Sequence, residues 1–373
     1  MKKAIYLFAA TALMTGCNQD VLVEQPQPQP EVNRHIGFDT FVDKATRTRG
    51  TNSNALNDFY PSFNVYGWKM VGNVTSPVFE NVTVSYCNGV DKMPSAEWGQ
   101  GAPAGWYYEN IRYWDKMATS YQFSAYAPVA ASAVVKCTKE GGITIGNAEA
   151  PITVEGTNLM AQPATTLAYT GFAYDYMTAQ STDKSADKVS LIFSHLQAKL
   201  NIRIRLDKDK VTTAQDVSVQ KIQVHNLGDK AYYTNAANTG VSGWTLTTPS
   251  ADYVPKVETA YSLNNATQNY DGSYVLEQLI IPQTIAKSAV PSPSLNEYDE
   301  ACVYVEYTIG SETFKSYSPL ANIFIDNESQ ETNYNLEGGK QYTINITIGP
   351  DPIEFTAEVA KWADAVEEDL IMD

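Results

Sequence analysis

Apolar and polar residues alternate along most of this chain with a period of two. "HLQAKLNIRIRL" is the clearest run: Leu196, Ala198, Leu200, Ile202, Ile204 and Leu206 alternate with Gln197, Lys199, Asn201, Arg203 and Arg205. Period two places successive side chains on opposite faces, so the run predicts a half-buried strand. Just upstream, Val189, Leu191 and Phe193 alternate in the opposite parity, which predicts a bulge or bend at Ser194-His195. "QYTINITI" puts Tyr342, Ile344, Ile346 and Ile348 on one face, and "IEFTAEV" does the same with Ile353, Phe355, Ala357 and Val359. "YQFSAYAP" and "VYVEYTI" follow the same rule, and no long helical period stands out. Turn dipeptides at Asn88-Gly89, Asp271-Gly272 and Gly338-Gly339 punctuate the strands. The pattern predicts an all-β fold. Its length exceeds what one core usually serves, which suggests two β-sandwich domains in tandem. The polar stretch Thr178–Lys188 is the natural linker, giving domains at 36–185 and 186–373.

The N-terminus departs from the strand pattern. Lys2 and Lys3 precede a short apolar run, Ala4–Met14, that ends in Thr15-Gly16-Cys17. This reads as an export signal over residues 1–16, with a lipobox that would leave Cys17 lipidated as the first mature residue. Residues 17–35 then include the Gln-Pro repeat Gln25–Pro30, which resists helix and sheet because each proline lacks an N–H. They read as an extended tether from an outer-membrane lipid to a body at the cell surface.

Charge narrows the partners. The chain carries a formal −16. That disfavours nucleic acid and anionic membrane surfaces. Beyond Cys17, only Cys87, Cys137 and Cys302 remain, widely spaced and without a C-x-x-C or a Cys/His cluster, so neither a metal site nor a cofactor is expected. No G-x-S-x-G, H-E-x-x-H or P-loop occurs, and none of the three histidines adjoins a candidate nucleophile in sequence. His195 reads as a packed residue at the strand bend. The inventory points away from an enzyme.

Two segments retain functional interest. "KATRTRG" sets Arg47 and Arg49 in a Thr/Gly-flanked patch between apolar segments of an acidic chain; it reads as an anion site, a solvated turn or a place to be cut. "EWGQGAPAGWYYENIRYW", residues 98–114 with Glu97 before them, holds Trp98, Trp106, Tyr107, Tyr108, Tyr113 and Trp114. Such rings either fill a core or stack on sugars, so Trp98, Trp106, Tyr108 and Trp114 are candidates for binding a surface glycan.

Several motifs together resemble the fimbrillin-like (Mfa-like, type V pilin) lipoproteins of Bacteroidales. They are the lipobox at Cys17, "IGFDTFV" followed by "ATRTRG", "FNVYGW", "RYWDKMATSYQFSAYAP", "VSLIFSHLQAKLNIRI", "LIIPQT" and "LEGGKQYTINITIGPDPIEFTAEVAKW". The resemblance implies two transthyretin-like β-sandwich domains and a structural, adhesive role in a fimbrium. It also implies an assembly mechanism in which an Arg-specific or trypsin-like protease cuts after the first strand. That strand leaves, and a strand of another pilin subunit fills its groove. Ile36, Phe38, Thr40 and Val42 would then face inward from the leaving strand, with the cut at Arg47 or Arg49. The family's donor strand is a C-terminal extension. Here the tail is "ADAVEEDLIMD", in which Glu368 shares a face with Val366, Leu370 and Met372. A charge on that face favours a tip, accessory or anchor position over a repeating shaft.

Overall fold

The computed structural model describes residues 35–42, 56–89, 93–99, 101–153, 177–181, 188–207, 217–235, 242–247, 261–263, 274–287, 300–325, 329–348 and 354–361. Cys17, Arg47 and Arg49 lie outside the described residues.

Strands dominate the described chain. Ten strands come from its first part: β1 (Gly37–Val42), β2 (Ser62–Val71), β3 (Val74–Cys87), β4 (Gly105–Tyr108), β5 (Ser120–Ala127), β6 (Val135–Thr138), β7 (Gly142–Ile145), β8 (Ile152–Thr153), β9 (Met177–Ser181) and β10 (Lys188–His195). Twelve follow: β11 (Ala198–Leu206), β12 (Val217–His225), β13 (Lys230–Asn235), β14 (Ser242–Leu246), β15 (Tyr261–Leu263), β16 (Tyr274–Ile280), β17 (Gln283–Ala286), β18 (Cys302–Ile309), β19 (Glu312–Pro319), β20 (Asn333–Leu336), β21 (Lys340–Ile348) and β22 (Glu354–Lys361). One short helix, Leu320–Phe324, interrupts them. The all-β expectation holds.

A seven-stranded sheet, in the order β1-β10-β9-β5-β2-β3-β4, surrounds the first core. Its inward residues include Phe38, Phe63, Phe79, Tyr108, Phe123 and Phe193, each 1% exposed or less. Two four-stranded sheets, β16-β11-β21-β22 and β15-β12-β18-β19, bury a second core of aliphatic residues from both. β11 and β21 run parallel, so that Leu200, Ile202 and Ile204 lie beside Tyr342, Ile344 and Ile346.

The tandem division at 185/186 does not coincide with sheet membership. β9 and β10, which flank and partly occupy the expected linker, both belong to the first sheet. A further sheet joins β6, β7 and β8 to β13 and β14, across that boundary. The parity switch is where the change of core falls: β10 ends at His195, and β11 begins at Ala198 in the second core. The turn at Gly338-Gly339 seals this break. Gly339 N–H donates to Gln197 C=O at 2.9 Å, and a Cβ on Gly338 would sit 2.6 Å from the Leu196 carbonyl oxygen. His195 is buried there against the Phe59 ring, a packing role consistent with its position.

Candidate functional site: the place of the first strand

β1 is the edge of the seven-stranded sheet and its ladder partner is β10, in parallel, with Phe38 beside Val189 and Thr40 beside Leu191. Period two sends Ile36, Phe38, Thr40 and Val42 inward, where they are 0%, 1%, 4% and 6% exposed. All four residues expected to line the leaving strand therefore lie in the core. Phe38 is their anchor. Its ring meets those of Phe79, Tyr108, Phe63 and Phe123 at centroid distances of 5.4, 5.9, 6.0 and 6.2 Å, all edge-on. Edge-to-face contact sets the positive rim of one ring against the negative face of another, adding to the burial of apolar area.

The outward row of β1 is different. Asp39 accepts an ion-paired hydrogen bond from the Lys188 ammonium at 2.9 Å, with both side chains about half exposed. Phe41 lies beside Ile192, and both are exposed. Solvent screens such a pair, so it contributes about 0–1 kcal/mol.

The start of β1 is clasped by the aromatic segment. Tyr108 Oη donates to Ile36 C=O at 2.7 Å and itself accepts from Arg112 N–H at 3.3 Å. Ile36 N–H donates to Arg112 C=O at 2.8 Å. His35 bridges to Tyr113 and sets its ring edge-on to Trp98 at 4.8 Å. Trp98 Nε1 in turn donates to Tyr108 C=O at 2.7 Å. Burial pushes the Tyr108 phenol up to about 12, partly offset by its hydrogen bond with the Arg112 backbone, so it stays a neutral donor at physiological pH. The Arg112 guanidinium packs over Phe79 and bonds the carbonyls of Val78, Glu109 and Asn110, which fixes the loop after β4.

Of the two roles expected for these rings, the packing matches core filling. Trp106 and Tyr108 are buried, and Trp98 and Trp114 are half-buried. Trp106 packs edge-on to Phe63 and Tyr86, Trp98 to Tyr107 and Tyr108, and Trp114 to Tyr121 and Phe123. The rings fill a core and close over the first strand instead of forming an open platform. Sequence reasoning missed the clasp because its partners, Ile36 and Tyr108, are 72 residues apart. Beside the clasp is an open polar depression of about 440 Å³, lined by Thr83, Ser85, Glu109, Asn110 and Arg112 among others. Among its described lining residues Glu109 is the one carboxylate. Cys87, Cys137 and Cys302 are not joined in disulfides.

The described chain is thus an all-β protein with an aromatic core that an edge strand, β1, completes. The chain belongs to the fimbrillin-like family, whose profile matches residues 46–362. That span begins after β1 and ends before the acidic tail. The chain is similar to the fimbrium subunit Fim1C of Phocaeicola vulgatus, at 22% identity with 99% of this chain and 98% of that protein covered. Among solved structures it resembles a fimbrial protein from Bacteroides vulgatus (17% identity, 89% of this chain and 100% of that one, TM-score 0.49). It also resembles the C-terminally truncated tip fimbrial protein Mfa3 of Porphyromonas gingivalis (10% identity, 81% and 94% covered, TM-score 0.38).

Proposed function

We propose that this chain is a non-enzymatic subunit of a cell-surface fimbrium that assembles by donor-strand exchange. It is exported as an outer-membrane lipoprotein through Cys17. An Arg-specific or trypsin-like protease cuts at Arg47 or Arg49, β1 departs with the lipid, and a strand from another subunit takes its place. The observation that carries this reading is the position of β1: an edge strand at the chain's start that nevertheless supplies Phe38 to the centre of the core. Removing such a strand exposes the unpaired edge of β10 together with an apolar trough, and an extended peptide of matching alternation satisfies both. The relatives named as fimbrium subunit and tip fimbrial protein support the same role. Glu368 in the tail favours a tip, accessory or anchor position.

Limited digestion of the folded full-length protein with trypsin, read by intact mass, tests the proposal. The expected result is one early nick, with a stable core beginning at Thr48 or Gly50. Digestion throughout the chain, or full resistance at both arginines, would overturn it. The same mass measurement on surface-extracted protein reads whether the terminus is lipidated Cys17 or the cut end.

A further inference from the structure

Of the four inward residues of β1, three are apolar and one is not. Thr40 is 4% exposed, and its Oγ1 has no hydrogen-bond partner. It sits between Phe38 and Val42 on the inward row and beside Leu191; the inward residues of β10 there are Val189, Leu191 and Phe193. A hydroxyl stripped of water and left unpaired opposes docking, whereas a methyl in the same place would favour it. On the outward row Lys188 is held by Asp39 and would meet whatever side chain replaces it.

We propose that the place of β1 is tuned to a better occupant than β1 itself: a strand from another chain with an aliphatic residue where Thr40 now stands and an acid where Asp39 stands. The proposal rests on the exchange reading and adds its selectivity. Thr40 makes the resident strand replaceable, and Lys188 sets which incoming register is accepted. An acid two residues further along the strand would still face outward but would miss Lys188, so the pair discriminates between registers that alternation alone leaves equivalent.

The test uses the full-length chain and two readouts. In the intact protein, hydrogen exchange of the β1 amides measures strand opening. Thr40→Val should slow it roughly fivefold or more, the release of an unsatisfied buried hydroxyl. Asp39→Lys should speed it up to about fivefold, and Lys188→Glu in the same chain should restore it. In protein nicked at the arginine patch, labelled peptides spanning 35–43 with Thr or Val at position 40 compete for the slot, and the Val peptide should win by a similar factor. Unchanged or faster exchange in Thr40→Val overturns the proposal, as does equal binding of the two peptides. If neither peptide enters while Thr40→Val still slows exchange, the preference of the slot stands and replacement between chains falls.

Discussion

Phe38→Ala is the sharpest perturbation of the first strand. The ring is 1% exposed and touches four other rings, so its removal forfeits its transfer from water, leaves a cavity and breaks every edge contact. Truncating a buried phenylalanine costs about 3–5 kcal/mol. In an interior strand this would lower global stability by that amount. β1, however, has one ladder neighbour, and the order β10-β9-β5-β2-β3-β4 remains paired without it. The loss should therefore appear as local opening, with β1 amides exchanging on the order of 10²–10³ times faster while β5 amides change little. Exposure of Phe63, Phe79 and Phe123 should raise binding of a hydrophobic dye with far-ultraviolet circular dichroism largely retained. Equal acceleration of β1 and β5, with a matching drop in the denaturation midpoint, would refute the idea that the strand docks as a separable unit.

Tyr108→Phe removes the donor to the Ile36 carbonyl and should cost about 1–3 kcal/mol of clasp stability, read as faster exchange at the first amides of β1 and a lower Tm. Stability should fall as pH rises past 9. Burial raises the Cys302 thiol from 9.0 to about 12 and the Tyr108 and Tyr342 phenols from 10.0 to about 12. The unfolded chain therefore loses these protons first and is favoured, and denaturant midpoints at pH 8 and pH 10.5 check the sign. Aligned on Ile36–Val42, tail residues Val366–Met372 set Asp369 at the Asp39 place and Leu370 at the Thr40 place, but Glu368 at the Phe38 place. A labelled peptide 364–373 carrying Glu368→Leu should thus enter nicked protein about a hundredfold or more better than the native tail, and equal entry would show that the aromatic pocket tolerates a charge.

What was legible in the sequence was what depends on period two. The inward sets of β1, β10, β11 and β21 are buried as alternation requires, and the parity switch near His195 marks the passage between cores. Alternation says which face a residue takes and nothing about who lies beside it. The parallel pairing of β1 with β10 spans about 150 residues, and its register is set by how Phe38 seats among rings from four other strands. β22 shows the same limit. Phe355 and Ala357 are only half-buried and Val359 is 46% exposed, although alternation places them on one face; Ile353 lies outside the described residues. Composition left the aromatic segment open between core and platform, since a count of rings carries no information on whether their faces are free.

On the strand-exchange reading proposed above, the distribution of contacts along β1 gives its departure a direction. The clasp holds the Ile36 end: two hydrogen bonds to Ile36, the His35 bridge and the Trp98 ring. The Val42 end leads in sequence toward the arginine patch, so a cut there frees the end opposite the clasp. Thr40, with its unpaired hydroxyl, is two residues in from that end, and the exposed Phe41 contributes little to docking. Peeling from that end therefore frees Val42, then the weak position at Thr40, then Phe38, and the clasp last. An incoming strand can begin pairing with Phe193 and Leu191 before Phe38 has left, so the aromatic core need never stand fully open to water. Concerted replacement of this kind predicts that release of the cut fragment accelerates with donor concentration, whereas dissociation followed by capture makes release independent of it.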